Sequence, residues 1–75
     1  MDEERLIDAR GLRCPLPVLK ARKALAEMAP GAVLRLWADD PMAEIDLPHF
    51  CAEAGHALLA QDMADGVAVF VIRRG

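Results

Sequence analysis

The sequence predicts an α+β fold in which two helices cover one face of a four-stranded mixed sheet and leave the other face open. Three observations support this prediction. Strand-like and helical hydrophobic patterns follow one another in the order β-α-β-α-β-β. Proline and glycine punctuate the boundaries between them. The length, 75 residues, suits a single small domain over residues 1–75. Because β-α-β crossovers are almost always right-handed, both helices should lie on the same face.

The first predicted strand and helix flank a loop that contains a cysteine. Arg5–Asp8 is a short strand candidate, which Arg10-Gly11 ends. A helix is predicted from Pro15 to about Met28, because apolar residues recur at spacings of three, four and three and so share one face: Val18, Ala21, Leu25 and Met28. Pro30-Gly31 ends this helix.

The second half of the chain is predicted to add a strand, a helix and a hairpin. Residues alternate between two sides of the strand Val33–Ala38. Asp40 is predicted to cap a second helical region, with Pro41 at its first position. Pro48 is predicted to break this region into a brief turn and a helix through Ala54, closed by Gly55. The last strands are His56–Met63 and Val67–Arg73, joined by the turn Ala64-Asp65-Gly66.

Composition restricts the class of protein. No apolar run approaches the roughly 18 residues of a membrane span, and the acidic N-terminus lacks the apolar segment of a signal peptide. We therefore expect a cytoplasmic protein without a membrane partner. Two cysteines do not make a disulfide framework. The net charge of −3 argues against direct binding to nucleic acid.

Cys14 is the candidate reactive residue. Pro15 and Pro17 follow it and suit a helix start, where free N–H groups and the helix dipole favour a thiolate. Between Ala9 and Ala26 the chain has no acidic residue and five basic ones: Arg10, Arg13, Lys20, Arg22 and Lys23. We therefore predict an exposed Cys14 with a lowered pKa, held as an anion by Arg10 and Arg13. The prolines would fix the loop so that the sulfur projects outward.

Other conspicuous residues have simpler interpretations. Cys51 is expected in the core, and Asp39 and Asp40 are expected as capping residues. Trp37 is expected to be half-buried on the open sheet face. The spacing of three candidate metal ligands matches no strong zinc pattern, so no metal is expected: His49, Cys51 and His56.

Two blocks of the sequence carry a family resemblance. The first is Asp-x-Arg-Gly-Leu-Arg-Cys-Pro-x-Pro, from Asp8 to Pro17, followed by Arg-Lys-x-Leu along the helix. The second is Ala-Asp-Asp-Pro followed by Asp-Leu-Pro-x-Phe-Cys. From about Ile7 to Arg74 the chain resembles the TusA/SirA-like sulfur carriers. The resemblance departs at Ile45, where the best-known tRNA-thiolation member carries arginine.

The resemblance implies a two-layer βαβαββ sandwich and a sulfurtransferase that acts as a carrier protein. In such a family the cysteine at the Cys14 position accepts sulfane sulfur as a persulfide and passes it on. Known relatives serve tRNA thiolation, molybdenum-cofactor metabolism or sulfur oxidation. The implied partners are a sulfur-donor protein, either a cysteine desulfurase or a rhodanese-like protein, and a sulfur-acceptor protein. Neither a metal nor an organic cofactor is implied.

Because the domain is too small to enclose a substrate, specificity should come from docking around Cys14. The residues expected there are Arg10, Arg13, Pro15, Leu16, Pro17, Lys20 and Lys23; helical phase turns Leu16 away from the core. One alternative is a non-catalytic regulatory or RNA-binding module on the same scaffold. Another is a thiol switch between Cys14 and Cys51, which the expected burial of Cys51 disfavours.

Overall fold

The computed structural model describes residues 3–75 and contains six elements in the predicted order. The six elements are β1 (Glu4–Asp8), α1 (Leu16–Ala26), β2 (Val33–Ala38), α2 (Ala43–Ala54), β3 (Ala57–Ala64) and β4 (Val67–Arg73). The sheet has the strand order β1-β2-β4-β3. β1 is parallel to β2, and β4 is antiparallel to both of its neighbours, so the sheet is mixed. The predicted α+β fold class is confirmed. Residues 1–2, part of the acidic N-terminus used above, lie outside the described residues.

One hydrophobic core joins the sheet to both helices. Alternate residues of the two central strands and one face of each helix form a single buried cluster. Its largest fully buried side chains are Leu25, Leu34, Leu36, Leu47, Phe70 and Ile72. All of these strand residues belong to the same face of the sheet. Both helices therefore pack on one face, as predicted. Trp37 is half-buried on the opposite face, where the Arg10 guanidinium lies 5.1 Å from the centre of its ring.

The second helix corrects two predictions. It begins at Ala43 rather than Pro41, and it continues through Pro48 without a break. A proline inside a helix leaves the carbonyl four residues earlier without its usual N–H donor. Here that carbonyl belongs to Glu44, and the Gln61 side-chain amide donates to it at 3.3 Å. Core residues on both sides of the proline hold the helix against the sheet: Leu47, Phe50 and Cys51. The replaced hydrogen bond and this burial explain why the helix continues.

The predicted element ends are close to those of the structure. Gly55 closes α2 in the left-handed conformation, with φ at 81°. Asp65 and Gly66 both have positive φ, 50° and 78°, as a two-residue hairpin turn between β3 and β4 requires. α1 ends at Ala26, two residues before the predicted end, although Met28 remains buried. No helix within residues 3–75 is long and apolar enough to cross a membrane.

Candidate functional site

Two aspartates at the end of β2 hold the loop that carries Cys14. An Asp39 oxygen accepts a hydrogen bond from the Gly11 N–H at 2.9 Å. Asp40 is buried, and one of its oxygens accepts the Cys14 N–H at 2.7 Å. The other Asp40 oxygen accepts the Met42 N–H at 3.1 Å. These two backbone hydrogen bonds lower the pKa of Asp40. Asp40 therefore caps a turn, as an acid before proline often does, but it also fixes the reactive loop, which sequence reasoning did not reveal.

The Cys14 sulfur is exposed and contacts the second helix. Its Sγ donates a hydrogen bond to a carboxylate oxygen of Asp46, in the first turn of α2, at 2.8 Å. This hydrogen bond raises the pKa of Cys14, and desolvation and the negative charges of Asp46 and Asp40 act in the same direction. The predicted lowering of the Cys14 pKa is therefore wrong.

The main reason for this error is the Asp46 contact, and the prolines that mark the helix start add a second one. α1 begins at Leu16, and its N-cap is Pro15. The Leu16 N–H already donates to the Arg13 carbonyl at 2.8 Å, and Pro17 has no N–H. The start of α1 thus has few free donors for a thiolate. A chain segment without acids does not ensure an acid-free environment, because α2 brings Asp46 to the sulfur from 32 residues away.

A groove between the two helices begins at the sulfur. Its volume is about 480 Å³, and its lining includes Val18 and Arg22 from α1 and Asp46, His49, Phe50 and Glu53 from α2. The Arg22 guanidinium lies 5.4 Å from the centre of the Phe50 ring. His49 Nε2 and Glu53 Oε1 are 2.8 Å apart. Cys14 is therefore accessible from solvent along an open, partly apolar groove.

The other predicted site residues do not form one cluster. Arg10 binds both oxygens of Asp8, at 2.8 and 2.7 Å, so its guanidinium is engaged by Asp8 and Trp37. Lys20 and Lys23 line a separate groove beside β1. Arg13 is exposed, and no side-chain hydrogen bond or ion pair of Arg13 occurs within residues 3–75.

The apolar and proline residues of the predicted site also differ in their placement. Pro15 lines the groove at Cys14, whereas Pro17 is fully buried in the core. Leu16 is 46% exposed, as helical phase predicted.

Sequence reasoning missed two exposed apolar residues at the start of α2. Met42 is 46% exposed and Ile45 is 65% exposed. Ile45 directly precedes Asp46, and the Met42 N–H shares the Asp40 carboxylate with Cys14. We refer to Leu16, Met42 and Ile45 as the apolar collar. Ile45 is the residue that departs from arginine, and the fold shows that the next residue, Asp46, contacts the sulfur.

The remaining cysteine, Cys51, and the two histidines make no hydrogen bond to the Cys14 sulfur. Cys51 is buried, as predicted, and burial raises its pKa. Both cysteines are free. His56 Nδ1 accepts the N–H of Gly75 at 3.0 Å. Among residues 3–75, no group of three or more potential metal-ligating side chains comes together.

Comparison with known proteins agrees with this arrangement. The family model for sulfurtransferase TusA matches residues 5–74. Two proteins of Neisseria meningitidis, from serogroups A and B, are each 47% identical over 73 residues, which cover 97% of this chain and 97% of theirs. Both bear the name of a candidate sulfur carrier protein. The crystal structure of a SirA-like protein from Desulfitobacterium hafniense has a TM-score of 0.85 and 33% identity, and covers 95% of this chain and 97% of that one.

Proposed function

Because the chain belongs to the TusA family of sulfurtransferases, we propose that it is a sulfur carrier that holds sulfane sulfur as a persulfide on Cys14. One observation supports this assignment above the others. Cys14 is exposed at the mouth of an open groove, whereas Cys51 is buried with 2% of its surface exposed. A sulfur that must touch a partner's sulfur needs the accessible position.

The proposed loading reaction exchanges one sulfur–sulfur bond for another. The Cys14 thiolate attacks the outer sulfur of a persulfide on the donor protein. The bond between the two donor sulfurs breaks, and the donor cysteine leaves as a thiolate that takes up a proton. A thiol and a persulfide thus give a persulfide and a thiol, with no net oxidation. Delivery repeats the exchange, with the acceptor's thiol attacking the Cys14 persulfide. The chemistry proposed for Cys14 requires neither metal nor organic cofactor.

Docking at the Cys14 surface would supply the specificity. The groove beside Cys14 is open along its length and cannot enclose a protein-bound persulfide. The apolar collar offers exposed side chains that a partner can bury, near in the chain to Cys14 and to Asp46, which contacts its sulfur. Arg13, exposed on the loop, would attract an acidic partner surface, and Arg10, Lys20 and Lys23, which lie apart from the groove, would contribute where the partner extends beyond it. Pro15 and Pro17 limit the freedom of the loop.

The partners proposed are a cysteine desulfurase or a rhodanese-like protein as donor, and a second protein as acceptor. The acceptor would belong to tRNA thiolation, molybdenum-cofactor metabolism or sulfur oxidation, and the relay would take place in the cytoplasm. Ile45, in place of the arginine of the tRNA-thiolation member, favours one of the other two pathways because it changes the charge of the docking surface beside the sulfur.

Mass spectrometry of the intact protein tests the proposal. After incubation with inorganic polysulfide, the wild type should gain the mass of one or more sulfur atoms, and a reducing agent should remove them. The Cys14→Ser variant should gain nothing, and Cys51→Ala should load normally. A regulatory or RNA-binding module would show no mass gain in the wild type. Loading that persists in Cys14→Ser would refute the assignment of the site.

A further inference from the structure

Within residues 3–75, no cationic side chain pairs with the carboxylate beside the Cys14 sulfur. Asp46 accepts the Cys14 S–H at 2.8 Å, and no Lys, Arg or His side chain within residues 3–75 forms a salt bridge with it. Asp46 lines the open groove that begins at the sulfur, together with Arg22, His49 and Glu53. A partner that covers the mouth of this groove would remove Asp46 from water. An unpaired carboxylate is costly to desolvate, so a well-matched partner must bring a group to pair with it.

The other charged groups near Cys14, apart from Arg13, contact partners of their own within residues 3–75. Asp40, from the β2–α2 connection, binds the N–H groups of Cys14 and Met42. On α2, His49 and Glu53 pair with each other, and on α1 Arg22 lies over the Phe50 ring. Arg13 precedes Cys14 on the same loop. Among the side chains of residues 3–75, Asp46 is the one that makes a hydrogen bond with the sulfur.

This arrangement has a chemical consequence. A carboxylate that accepts an S–H hydrogen bond stabilises the thiol over the thiolate, while the thiolate is the nucleophile. The contact with Asp46 thus favours the unreactive form of the sulfur in the free protein. A cation placed against Asp46 would compete for the same oxygen and would also stabilise a thiolate next to it. One docked side chain could therefore both neutralise Asp46 and activate Cys14.

We propose that Asp46 is a positioning residue that keeps the sulfur of the free carrier protonated, and that the persulfide donor activates this sulfur by placing a Lys or Arg side chain against Asp46. This inference rests on the proposed function. In the activated complex the Cys14 proton passes to solvent, and the thiolate attacks the outer sulfur of the donor persulfide. The donor thiolate that leaves takes up a proton from solvent, so protons and electrons balance. A donor without the cation meets a protonated sulfur and a buried, unpaired carboxylate.

The first measurement is the rate at which iodoacetamide, a neutral reagent, alkylates Cys14 as a function of pH. It uses a Cys51→Ala background so that one thiol reacts. Asp46→Asn keeps the shape of the side chain and removes its charge. We expect the midpoint of its profile to move to lower pH and its rate at pH 7 to rise roughly three- to tenfold, since each unit of pKa changes the thiolate fraction about tenfold.

Glu44→Gln is the matched control, because it removes one negative charge from the same turn of α2 but faces a different groove, beside Ala38 and Met63. Its alkylation profile should follow that of the parent. Thermal melting establishes that each variant folds. An Asp46→Asn profile with an unchanged midpoint would overturn the inference, as would an equal shift in Glu44→Gln.

The second measurement uses two synthetic peptides that carry a cysteine persulfide and differ in the next residue, lysine or norleucine. The parent protein should be loaded roughly two- to fivefold faster by the lysine peptide, the range expected for one exposed ion pair. Asp46→Asn should lose this preference, and Glu44→Gln should keep it. Equal rates with both peptides in the parent protein would overturn the inference alone. If neither peptide loads Cys14 in any variant, the proposed function fails as well, whereas the alkylation profiles do not depend on sulfur transfer.

Discussion

Replacement of Cys51 by alanine separates a structural role for this thiol from a chemical one. Cys51 lies on α2 with 2% of its surface exposed, and it belongs to the core cluster with Leu47 and Phe50. Removal of its sulfur forfeits the burial of about one methylene-sized group, ~0.8 kcal/mol. The void that remains adds a smaller amount. We therefore expect Cys51→Ala to reduce the free energy of unfolding by about 1–1.5 kcal/mol.

This loss is measurable in a domain of 75 residues. A change of 1 kcal/mol shifts the melting temperature of a domain of this size by about 4–8 °C, so calorimetry or circular dichroism should detect it. Cys51→Ser is the matched control. Serine restores most of the volume but places a hydroxyl where the sulfur was buried. A buried hydroxyl without a hydrogen-bond partner should lower the free energy of unfolding by about 1–3 kcal/mol.

Sulfur loading is measured on the same variants by mass spectrometry with inorganic polysulfide. We expect both variants to load Cys14 at the wild-type rate at a temperature where both are folded, because Cys51 makes no hydrogen bond to the Cys14 sulfur. A variant with wild-type melting and no loading would refute this reasoning. It would instead support a relay or switch between the two thiols, and would require the helix that carries Cys51 to open.

Three further predictions concern the loop, the docking surface and the basic face of α1. Asp40 has a lowered pKa in the folded state, so its contribution to stability is complete above its unfolded pKa of about 3.9 and is lost as pH falls through the lower folded value. Asp40→Asn should therefore reduce the fall in melting temperature that the wild type shows between about pH 5 and 2. An unchanged fall in the variant would contradict this prediction. Ile45→Asp should slow loading from a donor protein at least several-fold while leaving loading from polysulfide unchanged, whereas Leu59→Asp, at a residue 49% exposed on β3, should affect neither. Lys23→Glu should slow loading from the donor protein and make it less sensitive to salt, since exposed charges are screened over about 8–10 Å near physiological ionic strength; equal slowing with polysulfide would show that Lys23 affects the Cys14 chemistry rather than docking.

Periodicity predicted the fold well because most of the chain follows simple rules. The apolar spacing of α1, the alternation in β2 and the Asp65-Gly66 turn are local signals, and each predicted element is present. The failure at Pro48 has a non-local cause. The Gln61 side chain, on β3, replaces the missing donor of the helix, and the burial of Leu47 and Phe50 holds the helix in place. Neither contribution can be read from the residues that adjoin the proline.

The candidate site was predictable to a smaller extent. The position of Cys14 before Pro15 indicated an exposed cysteine at a helix start, and the exposure is confirmed. Its electrostatic environment was not predictable, because it depends on aspartates 26 and 32 residues away in the chain. Sequence reasoning treated Asp40 as a cap. In the structure the Asp40 carboxylate also accepts the backbone N–H of Cys14. The local sequence pattern of a cap does not indicate this second role.

A raised pKa at the reactive sulfur is consistent with the demands on a carrier. An enzyme that attacks its substrate within its own active site benefits from a thiolate at all times, but a thiolate is also the form that oxidises. A carrier spends part of its cycle alone, with its sulfur exposed to solvent. The hydrogen bond to Asp46 favours the protonated sulfur and so reduces its oxidation during that time. The thiolate is needed only when a partner is docked. Asp46→Asn should therefore make free Cys14 more sensitive to hydrogen peroxide by about the same factor as to iodoacetamide, because both reactions proceed through the thiolate. Faster alkylation without faster oxidation would separate the two properties and would argue against protection as the benefit of the Asp46 contact.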